Sequence, residues 1–308
     1  MKNYDSILIL GPTASGKTRL AAHLASEANG AVLSFDSRQV YKQLTIGTGK
    51  DLNEFTIANR LIPYFLIDVC DVNTKFHSYE FVKCYLAAFE NCKERALLPI
   101  LCGGTGLYFD LVLKKHQYIN IPNDDELRNE ISSLTTGRLI EKLNTYASQN
   151  IKQADLSTRK RIIRAIEVAH YLSNFTHQQI SYPNLKPIIF GINLSPTDRI
   201  EKINSRLEQR LKNGLIEEVQ ELLAKGINED RLVFLGLEYK YITEFLTGKY
   251  PKETMITLLQ TAIHQYAKRQ MTWFRKMERE GNIIHWIDGN LTLDAQLKFV
   301  HAVLDNEK

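Results

Sequence analysis

The chain has 308 residues, of which 44% are hydrophobic and 24% charged, and its formal net charge is +4. That length supports one large domain or two modest ones with a sizeable core, and the composition excludes a largely disordered chain. The small charge neither requires nor forbids a nucleic-acid partner, because a local basic face can bind RNA while the total stays near zero. In chain order, Ser6–Leu10 is a short apolar run ending at glycine, which predicts a buried strand. Lys17–Asn29 carries Leu20, Ala21, Leu24, Ala25 and Ala28 at helical spacing, and Gly30 suits a C-cap. Ala31–Phe35, Ile62–Ile67 and Pro99–Cys102 read as further strands, with an amphipathic helix at Tyr79–Arg95 between the last two. Strands alternating with helices predict an α/β fold with a parallel, doubly wound sheet.

The pattern changes after Lys114. From Pro122 to Thr176 the periodicity is helical and the charge density high, and Lys186–Leu194 then reads as a returning core strand. A helical insertion domain at 117–184 is therefore expected within a core made of 1–116 and 185–308. The remainder is mainly helical, with a last short strand at Ile283–Ile287. Cys70, Cys84, Cys92 and Cys102 form no CxxC pair and precede no histidines at zinc-finger spacing, so they read as free thiols. The N-terminal MKNYDSILILG lacks the length and flanks of a signal peptide, and no apolar run reaches membrane-spanning length. A soluble, cytoplasmic protein without a membrane partner is expected, acting as a monomer.

Gly11-Pro12-Thr13-Ala14-Ser15-Gly16-Lys17-Thr18 matches G-x-x-x-x-G-K-[ST] in full, between a predicted strand and a predicted helix. Such a P-loop turns backbone N–H groups inward around an anion, and the helix N-terminus adds partial positive charge. Lys17 supplies a full charge to the phosphates, and the Thr18 hydroxyl is the expected ligand of Mg2+. The fold expectation becomes a P-loop nucleoside-triphosphate-hydrolase-like parallel sheet. The motif predicts phosphate or nucleotide binding without naming the ligand: ATP, GTP and an organic diphosphate present similar oxygens.

Asp36 follows the second predicted strand, at the sheet edge where the phosphate loop also lies. There it can hold magnesium, take a proton, or cap a turn. A small-molecule kinase using Asp36 or Asp68 with the insertion as a lid, and a nucleotide-gated RNA binder, both fit these features.

Further segments resemble one family. Asp36-Ser37-Arg38-Gln39-Val40-Tyr41-Lys42, Ile46-Gly47-Thr48-Gly49-Lys50, Leu66-Ile67-Asp68 and Gly103-Gly104-Thr105-Gly106-Leu107-Tyr108 are similar to signatures of the tRNA dimethylallyltransferases. So are Arg161-Ile162-Ile163-Arg164-Ala165-Ile166-Glu167, Arg206 with Gly214-Leu215-Ile216-Glu217-Glu218-Val219, and Ala267–Arg275, in the family's order. One segment departs: Gly236-Leu237-Glu238-Tyr239-Lys240 stands where the family carries G-Y-[KR]-[EQ].

The resemblance implies transfer of a dimethylallyl group from its diphosphate to N6 of an adenosine next to the anticodon (position 37), in tRNAs that read codons beginning with U. It implies Asp36, Thr18 and Arg206 as catalytic residues and Gly11–Thr18 as the diphosphate site. An exocyclic adenine amine is a poor nucleophile, so Asp36 is the expected base. Charge building on the departing diphosphate would be met by magnesium, Lys17, Thr18, the loop amides and Arg206. The implied contacts to the tRNA anticodon stem-loop are Asp36, Ser37, Arg38, Gln39, Thr105, Gly106, Arg128, Arg161, Arg164, Lys268 and Arg269. Ser37 and Gln39 would read the base edge, and the adenosine must leave its stack to react.

Overall fold

The computed structural model describes residues 4–146 and 154–307. Residues 1–3 of the N-terminal run and 147–153 of the stretch read as helical lie outside the described residues. The chain divides into two compact units, one made of 1–113 and 183–308, the other of 114–182.

In the first unit the strands are β1 (Ser6–Leu10), β2 (Gly30–Phe35), β3 (Thr56–Ile57), β4 (Arg60–Leu61), β5 (Tyr64–Phe65), β6 (Leu98–Gly103), β7 (Pro187–Asn193) and β8 (Ile284–Asp288). Six of them form one sheet in the order β5-β2-β6-β1-β7-β8, every pairing parallel. All five residues of β1 and all six of β2 are buried. This is why these strands read as unbroken apolar runs: a parallel sheet covered on both faces has no polar side. Because β6 lies between β1 and β2, the carboxyl ends of these three strands sit side by side. Loops leaving them share one edge, the usual ligand edge of an open α/β sheet.

Two local expectations change. Gly30 is the first residue of β2, and Ala28 is the C-cap of helix α1 (Lys17–Glu27). Glycine is required at 30 by close approach, since a Cβ there would lie 2.7 Å from the Leu98 carbonyl oxygen. The strand expected at Ile62–Ile67 is only the two residues of β5, because Leu66 (φ 67°) and Asp68 (φ 57°) turn left-handed. β3 and β4 form a small antiparallel hairpin apart from the sheet.

Helix α1 and α2 (Ser78–Glu94) pack on β2 and β6, and α3 (Gly106–Leu113) follows β6. The second unit contains α4 (Asp125–Ile131), α5 (Thr136–Asn144) and α6 (Arg159–Asn174). Asp124, Thr135 and Thr158 each cap the helix that follows by accepting a backbone N–H. These helices bury Leu127, Ile131, Leu139, Leu143, Ile162 and Ile166 against one another. Back in the first unit come α7 (Pro196–Lys212), α8 (Leu215–Ala224), α9 (Glu229–Leu235), α10 (Leu237–Leu246), α11 (Lys252–Arg279) and α12 (Leu293–Asn306). α7 to α11 close a second apolar core around Leu207, Val219, Leu235, Tyr239 and Leu259.

Candidate functional site

The phosphate loop is shaped by two left-handed residues, Ala14 (φ 61°) and Gly16 (φ 80°), the second being the N-cap of α1. Gly11 leaves room for Ser15, whose Oγ would lie 2.6 Å from a Cβ at position 11. That Oγ is buried and, among the described residues, has no hydrogen-bond partner. A buried hydroxyl without a partner is costly in an ordinary turn and suits a loop built to meet an anion. Lys17 donates from Nζ to the Pro12 carbonyl at 3.1 Å. Burial pushes its pKa below that of a free lysine, and the like charge of Arg206 adds to this, while the nearby Asp36 and Asp51 oppose it.

At the end of β2, Asp36 Oδ1 accepts from the Arg38 N–H at 2.9 Å, and the Ser37 N–H donates to Thr105 Oγ1 at 3.1 Å. The ends of β2 and β6 touch so closely that a Cβ on Gly103 would collide with the Phe35 carbonyl. Gln39 spans the base of this turn: its Oε1 accepts from Ser34 Oγ at 2.7 Å and its Nε2 donates to the Gly49 carbonyl at 3.0 Å. Lys50 is buried and donates to the carbonyls of Tyr41 (2.7 Å) and Lys42 (3.1 Å) and to Asp68. The turn that carries Asp36, Ser37 and Arg38 is therefore held from behind by Gln39 and Lys50.

Two arginines one helical turn apart on α7 reach the same place. Arg206 pairs with Asp51, and Arg210 lies 3.3 Å from Glu238 Oε1. Burial lowers the pKa of Arg206 and raises that of Glu238. Gly49 (φ 59°) passes beneath both guanidinium groups, where a Cβ would collide with Arg210. The result is a cavity of about 350 Å³. Lys17, Thr18, Asp36 and Arg206 contribute polar lining, and Leu237 and Ile263 add apolar wall. Such a chamber combines anion-binding groups, a carboxylate and space for a small apolar group.

The structure also gives roles to residues that the sequence reading quoted within segments but assigned no function. Gln270 on α11 accepts from the Thr13 N–H at 2.9 Å and donates to the Gly104 carbonyl at 2.9 Å, so it ties the phosphate loop to the turn after β6. It is buried on the same face as Ala267 and Phe274, and a polar residue within an apolar helical stripe is the sequence signal for it. In the departing segment, Tyr239 is buried against Gly47 and donates to Glu218 Oε1 at 2.6 Å. Glu218 in turn accepts from the N–H groups of Thr45, Ile46 and Gly47. The departure thus anchors the 45–47 loop through Tyr239 and places Glu238 in the cavity.

The expected tRNA contacts fall in different settings. Asp36, Ser37, Arg38, Gln39 and the exposed Arg269 line the cavity, and Lys268 is exposed beside them on α11. Gly106 begins α3 under Trp273, with which a Cβ would collide. In the second unit Arg128 Nη2 donates to Glu167 Oε2 at 3.0 Å, and Arg164 donates to the carbonyls of Tyr118 and Ile121. Arg161 binds Asp155 and Ser157. Among the described residues, no group of three or more His, Cys, Asp or Glu converges to hold a metal ion, and no helix is long and apolar enough to cross a membrane. The oxygen donors in the cavity that could hold Mg2+ are the Thr18 hydroxyl and the Asp36 carboxylate, too few to cage the ion without further oxygens.

Comparison with known proteins agrees with this geometry. The family profile described as IPP transferase matches residues 39–277. A protein of Bacteroides fragilis named tRNA dimethylallyltransferase 2 is 47% identical over 304 residues, covering 99% of each chain. One of Parabacteroides distasonis named tRNA dimethylallyltransferase 1 is 42% identical over 307 residues, covering 100% of each. The crystal structure of the full-length tRNA isopentenylpyrophosphate transferase from Bacillus halodurans superposes with a TM-score of 0.70 at 28% identity, covering 98% of this chain and 96% of that one. A eukaryotic dimethylallyltransferase acting on tRNA shares the fold, with a TM-score of 0.76 at 21% identity, covering 98% of this chain and 79% of that one.

Proposed function

The chain belongs to the IPP transferase family, and we propose that it is a tRNA dimethylallyltransferase that moves the dimethylallyl group of dimethylallyl diphosphate onto N6 of the adenosine at position 37, beside the anticodon, in tRNAs reading codons that begin with U. The observation that carries this reading is the convergence of the phosphate loop, Asp36 and Arg206 on one cavity with apolar wall. The charged lining supports binding of a diphosphate, and the apolar wall supports binding of a five-carbon group.

In this reading Lys17, the Ser15 hydroxyl, the loop amides and Arg206 bind the diphosphate and stabilise the charge that grows as it departs. Arg206 exchanges Asp51 for the ligand. The N6 lone pair forms the new carbon–nitrogen bond while the allylic carbon–oxygen bond breaks. The electron pair of that bond leaves with the diphosphate, and Asp36 takes the N6 proton. Thr18 is the proposed protein ligand of Mg2+, which when bound supplies further positive charge to the leaving group. Ser37 and Arg38 meet the turned-out adenosine, with Gln39 holding their turn and Thr105 and Gly106 lining the passage. Lys268 and Arg269, and Arg128, Arg161 and Arg164 of the insertion, contribute the positive field for the tRNA backbone. Because Arg128 and Arg164 are already bonded within the insertion, their part is also to fix its shape. We propose that the chain acts as a monomer in the cytoplasm.

The test is mass spectrometry of anticodon-loop nucleosides after incubation with unmodified tRNA, magnesium and dimethylallyl diphosphate. A prenylated adenosine next to the anticodon is expected. An unmodified adenosine, or phosphate released from ATP onto a small acceptor instead, would overturn the reading.

A further inference from the structure

Phe234 is the second-last residue of α9 and is 63% exposed, while its neighbours Leu232 and Leu235 are fully buried. Exposure of one apolar residue is ordinary by itself. Phe234 is different in its surroundings. It lines the cavity that holds Asp36. The guanidinium carbons of Arg38 and Arg231 each lie 5.6 Å from its ring centre. Arg231 also lies 5.4 Å from the ring of buried Tyr41, and its Nε and Nη2 donate to the carbonyls of Val72 (2.7 Å) and Thr74 (2.6 Å). Among the described residues no carboxylate forms an ion pair with Arg38 or Arg231, so the two carbonyls fix Arg231 in place without neutralising it. A ring shielded on both faces would not remain 63% exposed, so part of it is open.

A partly open aromatic ring beside two guanidinium groups that have no carboxylate partner is the equipment for single-stranded RNA: bases stack on the ring or on the guanidinium planes, and phosphates meet the charge. The rim of a chamber that accepts a turned-out nucleotide is also where its neighbour loses a stacking partner. We propose that Phe234, framed by Arg38 and Arg231, is a stacking site for one nucleobase adjacent to the target adenosine. The proposal rests on the tRNA reading above and adds a substrate-positioning site to it. The Phe234 ring takes the adenosine's place as stacking partner of that neighbouring base, so Phe234 acts on tRNA binding and not on the bond-making step.

The experiment compares wild type, Phe234→Ala and Phe234→Trp on three RNAs: unmodified tRNA, and the same tRNA made abasic immediately 5′ or immediately 3′ of the target adenosine. Kd for each RNA and single-turnover rates at saturating enzyme are read. Phe234→Ala is expected to weaken binding of intact tRNA about tenfold, within the range for loss of one stacked base, with the saturated rate unchanged and Phe234→Trp restoring affinity. One of the two abasic tRNAs is expected to bind wild type as weakly as intact tRNA binds Phe234→Ala, with no further loss when the two changes are combined. Unaltered affinity in Phe234→Ala, or losses that multiply with both abasic tRNAs, overturns the stacking site while leaving the tRNA reading intact. Absence of prenylated product with wild type and intact tRNA overturns both.

Discussion

Gln270 and Thr13, 257 positions apart in the chain, are joined by a 2.9 Å hydrogen bond from the Thr13 N–H to the Gln270 side-chain oxygen. The same side chain donates to Gly104, so one buried amide sets the spacing between the phosphate loop and the turn beside Asp36. Replacing it by alanine leaves a backbone donor and a backbone acceptor without partners, a loss of about 1–3 kcal/mol for each group that stays buried. Gln270→Ala is therefore expected to raise KM for dimethylallyl diphosphate about tenfold or more, on the same energy scale. KM for tRNA should change much less. Steady-state kinetics with each substrate varied in turn checks this, and equal changes in both would argue against a role at the phosphate loop.

Asp36 is assigned the proton of the attacking amine. Asp36→Asn keeps an oxygen for the Arg38 N–H, so the turn should survive while the base is lost. Turnover is expected to fall by at least about a hundredfold, the usual scale for a general base, with tRNA affinity retained. A variant with near-normal turnover would remove Asp36 from the chemistry.

Burial sets a pH dependence through Lys17. Its pKa lies below the free value of 10.5, so the ammonium is lost earlier as pH rises. Affinity for the diphosphate should fall on the alkaline side, starting below the titration range of an ordinary lysine. Folding carries the opposite sign. Between the lowered pKa and 10.5 the unfolded chain binds more protons, so stability of the ligand-free protein should rise with pH in that window. Lys17→Met should flatten both profiles, which calorimetry of diphosphate binding and thermal unfolding across pH will read.

The bond between Tyr239 and Glu218 is predicted to stabilise the fold. Tyr239→Phe removes a 2.6 Å donor to a carboxylate and leaves the ring in place against Gly47. A loss of about 1.5–3 kcal/mol in urea unfolding is expected, the range for hydrogen bonds to charged groups. An unchanged midpoint would mean that Glu218 is held by the loop N–H groups alone.

Strands β1, β2, β6 and β7 were legible to within a residue or so because burial on both faces leaves a short apolar run bounded by turn residues, while β8, a half-buried edge strand, was legible only as a short run after the last long helix. The phosphate loop and Asp36 were legible because both lie directly after such strands. β5 was not, since its ending depends on left-handed Leu66 and Asp68, which no local signal demanded. Gln270 lay within the quoted Ala267–Arg275 segment, but its partners Thr13 and Gly104, far away in the chain, were not legible. Arg128 and Arg164 of the insertion were read only as tRNA contacts because their partners, the carbonyls near 118–122 and the buried Glu167, are set by tertiary folding. Phe234 reads as one more apolar residue of a short helix until Arg38 and Arg231 are seen beside it.

The central claim is that the phosphate loop holds a leaving group, so that the bond cleaved is carbon–oxygen and not phosphorus–oxygen. Dimethylallyl diphosphate carrying heavy oxygen at the bridge between carbon and phosphorus tests it directly. After turnover with tRNA, mass spectrometry of the products should find the whole label in the released diphosphate and none in any prenyl product. Label recovered in dimethylallyl alcohol would mean attack at phosphorus, and would contradict the account.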